Sequence, residues 1–106
     1  MYGDALRGHL DLLLLAVLES GPAHGYRLVD ELLERSDGAL ELAEGTLYPA
    51  LYRLERQRFV TSRWGRGDGK RRRRVYRLTQ RGRRELDAQR EDWIDFARAV
   101  DAVALS

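Results

Sequence analysis

The chain has no cysteine, one lysine, one methionine and two prolines among its 106 residues. Without cysteine there is no disulfide framework, no thiolate metal site and no cysteine nucleophile. The longest apolar run, Leu12 to Leu18, is too short to span a bilayer. The N-terminus lacks the basic segment and cleavage pattern of a secretory signal, so a cytoplasmic location and no membrane partner are expected. His9 and His24 stand at no ligand spacing, and there is no Ser, His and acid trio. The three glycines of Gly65, Gly67 and Gly69 read as a hairpin turn, not as a phosphate-cradling loop between strand and helix. Neither catalysis nor a cofactor or metal is expected. With 43% hydrophobic and 34% charged residues, the length suits one small unit with a modest core.

The net charge of +2 conceals a strong segregation. Residues 1–42 carry three basic against eight acidic side chains (−5), 43–84 carry fourteen against three (+11), and 85–106 carry two against six (−4). A basic block between acidic ones argues for a polyanion meeting the middle of the chain, because charge placed only for solubility is interspersed. Eighteen of the nineteen basic residues are arginine, which suits bidentate phosphate contact.

Apolar periodicity predicts a first helix from about Gly8 to Glu19, ended by Ser20-Gly21-Pro22. It is apolar on most sides and must be covered all round. A second helix runs from about Gly25 to Ser36, stopped by Asp37-Gly38. A third begins at Glu44 or Thr46 and ends near Arg56, with Leu47, Ala50, Leu51 and Leu54 inward. Phe59 to Trp64 and Arg73 to Leu78 form a hairpin rich in β-branched and aromatic residues. Thr79 is a plausible N-cap for a last helix, Gln80 to Val103, about 36 Å long at 1.5 Å per residue. The order predicts a mainly α (α+β) winged helix-turn-helix, with an N-terminal helix, a DNA-binding unit over 1–78 and a C-terminal dimerisation helix over 79–106.

At 100° per residue the third helix turns Gly45, Pro49, Tyr52 and Arg56 outward, flanked by Thr46, Tyr48 and Arg53. That face carries no carboxylate; Glu55 lies between faces. Hydroxyls, aromatic edges and guanidinium groups are what a major groove and its phosphates accept. The hairpin adds Arg63, Arg66, Lys70, Arg71, Arg72, Arg73, Arg74 and Arg77, a ribbon suited to the backbone or to a narrow minor groove. Alternation turns Arg71 and Arg73 one way and Arg72 and Arg74 the other, so about half can touch DNA at once. Each feature alone has a bland reading, a solvated charge run or packing tyrosines; together they point to double-stranded DNA. The alternative is a ligand-binding or protein-interaction module that keeps the fold without operator binding.

In the last helix Leu86, Trp93 and Val100 recur in sevens, with Phe96 and Val103 between them. One helix with such a seam cannot bury both sides on a small domain. A homodimer is expected, the first helix joining through Leu13 and Leu14. Two-fold symmetry then implies a pseudo-palindromic operator with half-sites about 10 base pairs, or a multiple, apart.

These residues resemble the PadR-like family of bacterial transcriptional regulators. The likeness rests on His24-Gly25-Tyr26, Glu44 to Leu51, Arg53-Leu54-Glu55, and Arg74 to Thr79 followed by Gly82, and spans about 10–96. The single helix after the hairpin is similar to the short branch of the family. The resemblance implies a dimeric repressor, with Tyr26, Thr46, Tyr48, Tyr52 and Arg53 on the DNA side and the hairpin as wing. Trp93 matches the tryptophan that stacks flat aromatic compounds in multidrug-sensing members; it is either a ligand residue, with Phe96, or the core of an interface. Ala43 stands where the family often has Ser, so Thr46 is a substitute cap that would also move Pro49 toward the first turn. Arg58 replaces the Gly that commonly ends the third helix.

Overall fold

The computed structural model describes residues 3–66 and 72–106. Its elements are α1 (Gly3–Gly8), α2 (Leu10–Glu19), β1 (Ala23–His24), α3 (Gly25–Arg35), α4 (Glu44–Arg56), β2 (Val60–Arg66), β3 (Arg72–Leu78) and α5 (Gln80–Ala104). The expected winged helix-turn-helix is the observed fold, with two differences.

The expected first helix is α2, and a further short helix, α1, stands before it. At His9 (φ −122°, ψ 16°) the helical path breaks, and the His9 ring nitrogen Nδ1 bonds the Ala5 carbonyl at 2.8 Å. The second difference is a third strand. Ala23 and His24 pair antiparallel with Tyr76 and Val75, giving the sheet order β1-β3-β2. Two residues are too few for an alternating pattern to register, so β1 has no signature in the sequence.

The helix boundaries follow local chemistry. The Thr79 side chain accepts from the Gly82 amide at 2.9 Å, capping α5. α3 is capped by His24, whose ring nitrogen Nδ1 accepts from the Arg27 amide at 3.3 Å. At the far end of α3, Asp37 (φ 51°) and Gly38 (φ 84°) turn left-handed, and the Gly38 amide reaches the Leu33 carbonyl at 2.7 Å. The same motif closes α4 with a residue ill suited to it: Arg58 takes φ 65°, and the Phe59 amide bonds the Leu54 carbonyl at 2.9 Å.

Thr46 is not the cap of α4. The helix starts at Glu44, and Ala43 is the N-cap without a side-chain bond. Pro49 therefore sits inside the helix and leaves the Gly45 carbonyl without its amide. Both residues are exposed, so that carbonyl is open to water.

The core is a leucine cluster drawn from every helix. Leu14 and Leu15 of α2, Leu28 of α3, Leu47, Leu51 and Leu54 of α4 and Leu86 of α5 are fully buried, with Val60 and Tyr76 contributed by the sheet. Leu14 and Leu86, expected at a dimer interface, are thereby corrected: the chain's own core consumes both side chains. The heptad spacing placed Leu86 on the right stripe, but α2 covers that end of it. Gly82 lets α5 start against the sheet, since a Cβ there would collide with the Phe59 carbonyl oxygen. A two-pronged ion pair, Arg90 to Glu19 at 2.8 and 3.1 Å, fastens α5 to α2. Beyond it α5 still meets the α1–α2 junction through Trp93, and its last turns are exposed.

Candidate nucleic-acid interface

α4 is held by its buried stripe of Leu47, Ala50, Leu51 and Leu54, all without solvent exposure. The opposite side is therefore presented as the periodicity requires: Tyr48, Pro49, Tyr52 and Arg56 are exposed, and Thr46 is half-buried at the edge. Tyr52 is 61% exposed, and Arg56 lies over its ring at 5.8 Å. Tyr48 rests its hydroxyl end on the first residue of α3, where a Cβ at Gly25 would strike it. Partial burial, with Glu44 nearby, pushes the Tyr48 hydroxyl above its ordinary value of 10.0.

The hairpin rises beside this helix in strict register, Val60 opposite Leu78 through Arg66 opposite Arg72. Arg73 extends over the ring of Tyr26 at 5.3 Å and approaches the Nε2 atom of His24 at 3.4 Å. A neutral imidazole that accepts from the Arg27 amide through Nδ1 carries its proton on Nε2, so the Arg73 approach is a close contact and not a second bond. Arg74 points the other way, over Trp64 at 5.6 Å. The alternation expected of the wing arginines is what these two show. Lys70 and Arg71 lie outside the described residues.

Between α3, α4 and the wing run two clefts. One, of about 430 Å³, is lined by Tyr26, Tyr48, Trp64 and Arg72 to Arg74; the other, of about 750 Å³, lies among Tyr48, Pro49, Tyr52, Arg56 and Arg74, with Glu55 in its wall. Aromatic walls and guanidinium rims suit sugar-phosphate and base edges.

Arg53 differs from the simple outward picture. It is on the surface, but its guanidinium reaches sideways to Asp11 of α2 at 3.3 Å. Helical geometry shows which face a residue occupies and not which neighbour its long side chain finds. Sequence reasoning also passed over Trp64, which is 61% exposed beside the first cleft. Its signal in the sequence is an aromatic on a strand flanked by arginines, a pattern that an ordinary β-former also satisfies.

At the other end of the molecule, Trp93, Phe96, Val100 and Val103 of α5 are all exposed, and Leu13 of α2 is half-buried. Trp93 meets His9 edge-on at 4.9 Å and Phe96 at 6.3 Å, beside a shallow crevice of about 300 Å³ that Leu12, Gln89 and Asp92 help line. Among the described residues no helix is long and apolar enough to cross a membrane, and no His, Cys, Asp or Glu cluster is placed to hold a metal.

The comparisons with known proteins agree with this geometry. A transcriptional regulator of Mycobacterium tuberculosis is 42% identical over 77 residues, 73% of this chain and 68% of that protein. The structure of a transcriptional regulator from Clostridium thermocellum superposes with a TM-score of 0.88 at 28% identity, covering 95% of this chain and 98% of that one. Bacillus subtilis PadR, solved in complex with operator DNA, matches with a TM-score of 0.67 at 27% identity over 80% of this chain and 46% of its own. The Transcriptional regulator PadR-like family matches residues 14–88, and the chain belongs to this family of non-enzymatic DNA-binding regulators.

Proposed function

We propose that this regulator is a homodimeric repressor that binds a pseudo-palindromic operator, placing α4 in the major groove and the wing along the flanking backbone. The observation that carries the reading is the outward side of α4: Tyr48, Tyr52 and Arg56 are exposed beside an arginine ribbon, Asp11 and Glu55 are each turned onto an arginine, and Glu44 lies at the N-terminal end of the helix. Tyr26, Thr46, Pro49, Arg53 and Arg73 complete the described part of the footprint, and Lys70 and Arg71 extend it along the wing.

Residues 1–78 form the DNA-binding unit, and 79–106 supply the dimerisation helix. Exposed Trp93, Phe96, Val100 and Val103 support this division, since an apolar seam left in water favours a second copy. A planar aromatic effector entering beside Trp93 would bias one arrangement of the two subunits and so shift DNA affinity by its differential binding.

The test is a mobility-shift titration on fragments upstream of the protein's own and neighbouring genes, with sedimentation at micromolar concentration. A protected palindrome bound by a dimer, with a steep salt dependence, is expected. A stable monomer without preference for any fragment refutes the reading and favours an interaction module on the same fold.

A further inference from the structure

Glu55 is a carboxylate beside a face that reads a polyanion, and its surroundings explain why it is tolerated. It lies on α4 between the buried stripe and the outward face, and it accepts from the Ser62 hydroxyl of β2 at 2.6 Å. The Ser62 oxygen in turn accepts from Arg74 Nε at 2.7 Å. The Arg74 guanidinium closes the circuit on Glu55 at 3.6 Å while covering the Trp64 ring at 5.6 Å. Three side chains from α4, β2 and β3 thus join the reading helix to the wing. Arg74 also lines both clefts of the interface, together with Tyr48 and Tyr76.

We propose that Glu55 and Ser62 are positioning residues for DNA discrimination: they hold Arg74 between helix and wing, fixing the spacing of the two reading elements and withholding this guanidinium from phosphate. The proposal rests on the DNA-reading function above. Its physical basis is that a charge-assisted hydrogen bond is directional, whereas a free arginine on a flexible stem takes any phosphate within reach. An arginine so released adds affinity for every sequence alike and blurs the difference between operator and unrelated DNA.

The experiment uses the full chain; for the emission readout alone it carries Trp93→Phe, which leaves Trp64 as the single tryptophan, and the DNA measurements keep Trp93 in place. Glu55→Gln keeps an acceptor for Ser62 and removes the charge, and Ser62→Ala removes the bridge. Without DNA, each variant is expected to change Trp64 emission, because the guanidinium leaves the ring. With DNA, binding to operator and to an unrelated duplex is measured across salt concentrations. Glu55→Gln is expected to lower the operator-to-unrelated affinity ratio about tenfold. The salt slope steepens by about 0.9, the increment for one added phosphate contact. Unchanged emission, ratio and slope in both variants overturn the proposal, as does a loss of affinity for both duplexes in equal measure. If the unsubstituted chain itself binds no duplex, the DNA reading fails and takes the proposal with it, a result distinct from a chain that binds and variants that match it.

Discussion

Replacing Arg58 by glycine should stabilise the protein, against the usual direction for a substitution that creates a glycine. Arg58 holds φ 65° at the end of α4, and two backbone bonds, its own amide to Glu55 at 3.0 Å and the Phe59 amide to Leu54 at 2.9 Å, keep it there. A left-handed conformation costs an L-residue about 1–2 kcal/mol, and glycine escapes that cost. Glycine loses more backbone freedom on folding, about 0.5–1 kcal/mol, and the vanished positive charge at a helix C-terminus takes back about 0.3 kcal/mol. The balance is about 0.5 kcal/mol in favour of glycine, or roughly 2–4 °C in melting temperature for a domain of this size. Calorimetry at one fixed protein concentration, with Arg58→Ala as control, separates the contributions. Alanine loses the charge but keeps the strain, so it should melt at or below the wild type. An Arg58→Gly protein no more stable than Arg58→Ala would refute the argument, because the left-handed turn would then not be where the strain lies.

Asp11→Asn should tighten binding to DNA of any sequence by up to about fivefold at low salt, the scale of an exposed ion pair, because it frees Arg53 and removes a carboxylate near the duplex. Fluorescence anisotropy on two unrelated duplexes checks this, and weaker binding would mean that the pair aligns Arg53 instead of restraining it. Glu19 gives the acid response. Its hydrogen bond from Arg90 holds the carboxyl below its ordinary 4.5, so the folded chain binds this proton less readily than the unfolded one. The contribution is present in full above the unfolded value and is lost as pH falls through the folded one. A Glu19→Gln protein should therefore melt below the wild type at pH 7 and converge with it on acidification, in a series of thermal melts.

The site shows how far a linear pattern carries. Leucines at helical spacing in α4 can only be inward, since exposing them costs hydrophobic free energy; Tyr48, Tyr52 and Arg56 are then outward by geometry alone. The same logic identified the wing, where strand alternation separated Arg73 from Arg74. It failed at Leu14 and Leu86, where periodicity names a stripe without naming its cover. It was silent on β1, whose two residues pair only because β3 offers an open edge.

Local chemistry, written in the order of residues, settled the helices, the capping threonine at 79, the stop at Asp37-Gly38 and the basic block between acidic ends. Packing settled the rest. That Asp11 takes Arg53 across 42 positions, and that Glu55, Ser62 and Arg74 meet between helix and wing, depends on elements brought together by a shared leucine core. A long charged side chain pairs with whatever the fold sets within its reach, and that distance is a property of the packed chain, not of the order of its residues.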